Sequence, residues 1–102
     1  MRSFTLILSI AFMLLASCAK EKNSAEVIQK KEIDLQMIDA YEQGLTALEE
    51  QDGLTAAKKF TEAELLFPQS IWAPRAALMS AYSYYSNEYY SDSIYEIERF
   101  LK

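Results

Sequence analysis

The chain has 102 residues, with 15 acidic against 10 basic side chains, a formal charge of −5, no histidine and one cysteine. A short acidic chain is a poor partner for nucleic acid, whose affinity comes from neutralising phosphates with Lys and Arg, and it can neither close an internal disulfide nor build a histidine-based catalytic or metal site. There is room for one small domain that buries a modest share of its surface.

The first predicted element is an export signal over residues 1–17. After Arg2, residues 4–16 carry no charge; a spanning helix needs about 20 apolar residues, whereas the apolar part of a secretory signal needs roughly 7–15. The run ends in "LASC", with Leu15, Ala16 and Ser17 directly before Cys18, which resembles the lipobox of bacterial lipoproteins. That resemblance implies that the Cys18 thiol is lipidated, that the chain is cut before it, and that the new amino group is acylated. The alternative is an incidental cysteine in an ordinary signal or in an uncleaved anchor. A lone thiol in an exported chain agrees with the lipobox, because lipidation consumes it. Two or more acyl chains hold a protein firmly at ~0.8 kcal/mol per buried CH₂. Apart from this covalent lipid no cofactor is expected. Ala19 and Lys20 follow the cysteine where an aspartate would favour retention at the inner membrane, so the resemblance implies the periplasmic face of the outer membrane. Loss of residues 1–17 removes one positive charge and leaves a chain near −6.

Residues 18–32 are predicted to be the lipidated cysteine and a flexible tether. Val27 and Ile28 are the only large apolar residues among seven charges between positions 19 and 32, a composition that does not bury enough to fix a structure. From residue 33 the spacing is helical: Ile33, Met37, Ile38, Tyr41, Leu45 and Leu48 recur every three or four positions, and no alternation long enough for a strand is present. Asp52 and Gly53 interrupt this first helix, with Asp52 placed to cap a second over residues 55–67, which Pro68 stops. Pro74 is tolerated only in a first turn, so a third helix opens within residues 70–74 and runs to about residue 86. Asn87 and Glu88 form the next turn, and residues 90–102 a fourth helix.

The fold class is therefore all-α, and a shift of 37 residues superimposes its two halves: Gly44 falls on Ala81, Leu45 on Tyr82, Leu48 on Tyr85, Ala56 on Ser93 and Phe60 on Ile97. Gly44, Ala56, Phe60, Ala63 and Pro68 carry the spacing G-x11-A-x3-F-x2-A-x4-P, which resembles the tetratricopeptide (TPR) repeat; a generic two-hairpin bundle is the alternative. Small residues let the helices of a hairpin approach, a ring fills the space between hairpins, and proline ends the second helix. The boundaries follow as 33–68 and 69–102 for two TPR-like helical hairpins, the second incomplete. Ala40, Gln43 and Ala47 depart from the pattern, as does Phe100 in the second copy.

Residues 41–102, above all "FPQSIWAPRAALMSAYSYY" and the closing "ERFLK", resemble the first two repeats of the BamD family of outer-membrane assembly lipoproteins. Family members are more than twice this length and carry about five repeats. The resemblance implies a lipid-anchored component of the β-barrel assembly machinery. Its partners would be assembly subunits and unfolded outer-membrane protein clients, and the N-terminal repeats are implicated in recognising the barrel's C-terminal targeting segment. The chain reads as a truncated product of such a protein, since it stops inside the second hairpin, and the docking roles of later repeats do not carry over.

A candidate peptide-binding groove follows from the helical spacing. The small stripe of Ala40, Gly44 and Ala47 must face its own hairpin, which leaves Tyr41, Leu45 and Leu48 beside it; the shift of 37 adds Leu78, Tyr82 and Tyr85, with Arg75 one turn earlier. In TPR arrays this stripe lines the concave face. Tyrosine offers rigid contact area with a polar tip, and Arg75 offers a planar donor fork for a terminal carboxylate. The competing reading makes the rings core, which is preferred for Tyr84, and Arg75 a solvated charge, which is preferred there too. No constellation points to an enzyme or a metal: the two glycines cannot form a phosphate loop, and Glu49, Glu50, Glu62 and Glu64 are read as solvent-facing. The alternatives to barrel assembly are a TPR-like scaffold lipoprotein holding another periplasmic partner, or a non-functional remnant.

Overall fold

The structure, a computed structural model, describes residues 19–102, and the export signal and Cys18 lie outside the described residues. The described residues form four helices and no strand: α1 (Ala19–Glu49), α2 (Gly53–Leu66), α3 (Ala73–Ser86) and α4 (Tyr90–Leu101). The chain divides into two units, Met1–Lys31 and Glu32–Lys102.

The predicted tether needs correction, because residues 19–32 are helical. Charge without burial argues against packing and says little about local helix formation. The segment is rich in Ala, Glu, Lys and Gln, all good helix formers, and Glu26 stands four residues before Lys30, the favourable order for an i,i+4 pair. The side chains of residues 25–31 are all exposed, as expected of a helix held by propensity.

Within Glu32–Lys102, α1 and α2 form hairpin 1, and α3 and α4 form hairpin 2. The small stripe of α1 is buried in its hairpin: Ala40 and Ala47 are nearly sealed, and Gly44 faces the Phe60 ring. A Cβ on Gly44 would lie 2.9 Å from that ring, so the approach of the helices requires glycine here. Phe60 is fully buried and meets the Tyr41 ring edge-on at 5.1 Å.

The 37-residue shift holds in the backbone as well. Gln51 and Glu88 both adopt the left-handed conformation, at φ 61° and 65°. In the first turn the Gln51 and Asp52 amides donate to the Leu48 and Ala47 carbonyls (3.1 and 2.9 Å); in the second, Glu88 and Tyr89 donate to Tyr85 and Tyr84 (3.1 and 3.0 Å). Each is a Schellman turn, which satisfies carbonyls that the helix end leaves open. The Tyr84 and Tyr89 rings, 6.5 Å apart, supply the apolar contact that accompanies such turns. Asp52 caps α2 by accepting from the Thr55 N–H at 3.0 Å, and hydrogen bonds from the Thr55 side chain and backbone hold its carboxyl below the usual range. Pro74 stands in the first turn of α3.

The two hairpins meet through small residues. The Ser80 hydroxyl donates to the Ala57 carbonyl (3.2 Å) and lies 3.1 Å from the Thr61 hydroxyl. At the turn end the Asn87 side chain covers Gly53; in the orientation that satisfies both ends of its amide, Asn87 donates to the Gln51 carbonyl (2.9 Å) and accepts from the Gly53 N–H (3.3 Å). A Cβ on Gly53 would fall 2.5 Å from the Ser83 carbonyl oxygen and closer still to Asn87. Gly53→Ala in a helix would ordinarily gain up to ~1 kcal/mol. Here the overlap with backbone outweighs that gain, and a net loss of about 1–3 kcal/mol is expected, read from urea unfolding. A stabilised variant would show that the hairpins do not approach this closely.

The outer faces of the two hairpins differ in character. Residues of α3 that face hairpin 1, Ala76, Met79 and Ser80, correspond under the 37-residue shift to Asp39, Glu42 and Gln43, so the outer side of hairpin 1 is polar, as a capping repeat requires. Hairpin 2 instead exposes Ile94, Ile97, Phe100 and Leu101. Ile97 occupies the position of Phe60, yet stands 42% exposed where Phe60 is sealed.

Candidate functional site

Among the described residues the predicted groove stripe is distributed over two hollows. The first, of about 380 Å³, is lined by Met37, Ile38, Tyr41, Glu42, Leu45 and Trp72. Tyr41 and Leu45 come from the predicted set, and Trp72 comes from the turn that leads into α3. The Trp72 ring meets Tyr41 edge-on at 5.9 Å, and the Arg75 guanidinium carbon lies 5.0 Å from the Trp72 ring centre. Arg75 therefore stands beside this hollow with its head exposed, steadied by an aromatic face.

The second hollow, of about 230 Å³, is lined by Leu78, Ala81, Tyr82, Tyr85, Ser93 and Ile97. It brings together three of the four predicted residues of α3, all but Arg75, with α4 as its other wall. Tyr82 and Tyr85 are 53% and 60% exposed, and Tyr85 lies 5.7 Å from the Tyr90 ring. Leu48 lines neither hollow; it is half-buried against Ala47, Ala56 and Phe60, with Met79 of α3 in the same cluster. Tyr84 is half-buried, and its phenol pKa is pushed up by burial first and by Asp92 and Glu96 second. A larger hollow of about 520 Å³ opens elsewhere, between α2 and α4, lined by Lys58, Thr61, Glu62, Leu65, Leu66, Tyr84 and Glu96.

Two structural features escaped the helical spacing. Trp72 falls in the turn before α3, outside any periodic stripe; its being the only tryptophan, two residues before a helix-starting proline and three before Arg75, was the available signal. Glu64, read as solvent-facing, is bound on both oxygens by Arg99 of α4, at 2.8 and 2.7 Å. The Arg99 Nε and Nη2 also donate to Glu96 at 3.2 and 2.6 Å. The bonds to Glu64 first, and to Glu96 second, push the guanidinium pKa further up. No cluster of three or more metal-ligating side chains exists among the described residues.

Both hollows fall inside the stretch that decides the family. A family model described as outer membrane lipoprotein, YfiO, matches residues 33–102. The chain belongs to this family. It is 30% identical over 87 residues to the outer membrane protein assembly factor BamD of Caulobacter vibrioides, an alignment that covers 84% of this chain and 27% of that protein. The chain thus spans about a quarter of the length of the curated relative it matches. No solved structure matches it. The YfiO match takes in both hairpins from residue 33 onward and every residue of the two hollows. No helix among the described residues is long and apolar enough to cross a membrane.

Proposed function

We propose that this chain is a lipid-anchored component of outer-membrane protein assembly, attached through Cys18 at the periplasmic face, which binds extended apolar segments of barrel clients or partner subunits. The observation that carries the reading is the hollow of Tyr41, Leu45 and Trp72 with the exposed Arg75 fork beside it. Family membership and the name of the BamD relative support the biological setting. The work is binding rather than catalysis. An apolar recess takes a side chain by burial, and a guanidinium beside it favours a carboxylate two or three bonds away.

The test is a titration with two forms of one peptide that ends in an aromatic residue, one with a free C-terminal carboxylate and one amidated. Trp72→Ala is expected to cost about 1–3 kcal/mol with both forms, as loss of an interface anchor commonly does. Arg75→Ala should cost about 0–1 kcal/mol, the worth of an exposed ion pair, and should erase the preference for the free end. If Trp72→Ala binds normally and Tyr82→Ala does not, the hollow of α3 and α4 is the site. Equal affinity of the wild type for both peptide forms would remove Arg75 from the reading.

A further inference from the structure

Hairpin 2 is held to hairpin 1 at two ends by different means. At the turn end Asn87 lies against Gly53 with no space between them. At the other end, near the Tyr41–Trp72 hollow, the buried contacts come from Ala40, Ala63 and Ala76 around Met37. Tyr41, Leu66 and Phe67 pack against this cluster, and such apolar contacts set a separation but give little direction. Directional contact at that end comes from Arg99, which forks onto both oxygens of Glu64 and is braced by Glu96 one turn earlier on its own helix. Glu64 adjoins Ala63, whose side chain belongs to the cluster against which Tyr41 packs. The pair is not a property of the repeat, because the 37-residue shift places Glu62 at the position of Arg99 and Leu101 at that of Glu64. It belongs to this junction alone.

We propose that Arg99 and Glu64 form a positioning pair that limits the swing of hairpin 2 about its Gly53–Asn87 end, and so sets the spacing of Tyr41 and Trp72 across the hollow. Neither residue lines the hollow, so both act through the angle between the hairpins. The consequence for peptide affinity rests on the groove reading; the consequence for Trp72 does not. Without the fork, the hairpins populate a range of angles, and the apparent affinity falls with the share of molecules at the competent one.

Trp72 is the only tryptophan in the chain, so its emission reports the hollow directly. The full lipidated chain in nanodiscs is compared with Glu64→Gln and with the reversed pair Glu64→Arg/Arg99→Glu. Glu64→Gln is expected to increase acrylamide quenching of Trp72 and to weaken the aromatic-ended peptide about threefold or more, with far-UV helicity unchanged; the reversed pair should restore both. Arg99→Lys, which keeps the charge and loses the fork, gives a partial effect and serves if Glu64→Gln fails to fold. Quenching that stays at the wild-type value in a folded variant overturns the proposal, as does unchanged affinity for a peptide that the wild type binds. Altered quenching in a protein that binds neither peptide form upholds the positioning role and removes the groove reading.

Discussion

Phe60→Ala is expected to leave the helical domain largely unfolded at room temperature. Phe60 is fully buried, packs on the face of α1 that glycine opens at position 44, meets Tyr41 edge-on, and shares a cluster with Ala47, Ala56, Leu48 and Met79. It therefore joins both helices of its hairpin to the neighbouring hairpin. Truncating a buried phenylalanine costs about 3–5 kcal/mol. A domain of this size has only about 0.05–0.15 kcal/mol of stability per residue, and the exposed apolar face of α4 adds nothing to that. The expected loss thus matches the lower end of the whole stability. Phe60→Leu keeps most of the volume and should cost about 1–1.5 kcal/mol. Far-UV circular dichroism during urea titration checks both. A folded Phe60→Ala protein with a midpoint near wild type would mean that the hairpins are held chiefly by their polar ties, Ser80 to Ala57 and Arg99 to Glu64.

The second large effect concerns the membrane. Cys18→Ser is expected to abolish lipidation and to leave a chain that is either unprocessed or released from the outer-membrane fraction. Several acyl chains at ~0.8 kcal/mol per buried CH₂ hold a protein essentially permanently, whereas the surface of an acidic helical domain offers a bilayer little. No helix among the described residues is long and apolar enough to substitute. Fractionation with intact-mass measurement decides the matter. A serine variant that is still cut before position 18 and still sediments with membranes would sink the lipobox reading and, with it, the tethered placement of the groove.

Both effects bear on the same functional picture. On the proposed function, lipid at Cys18 would confine the chain to a surface and favour binding at the hollow for segments presented there. The polar outer side of hairpin 1, with Asp39, Glu42 and Gln43, discourages stacking there, while the hollow beside Trp72 stays open.

Much of this architecture follows from local chemistry. Asp52 ends one helix and caps the next, Pro74 must lie in a first turn, and Gln51 and Glu88 stand at matched turns, because turns and caps are settled by hydrogen bonds within a few residues. The burial of Ala40, Gly44 and Ala47 follows equally from spacing, since only small side chains allow two helices this close. Of these positions Gly44 also carried the resemblance to a family of repeats, together with Ala56, Phe60, Ala63 and Pro68. What remained for tertiary structure was the relation between hairpins. Helical period tells which face of α1 or α3 is apolar and not which neighbour it meets, so one predicted stripe became a hollow with Trp72, a second hollow with α4, and a core contact at Leu48. The pairing of Glu64 with Arg99 spans 35 residues and exists only because the rigid packing of Phe60, Ala63 and Ser80 brings the ends of α2 and α4 within reach of one guanidinium. Charge alone made Glu64 a surface residue; the angle between the hairpins made it a partner.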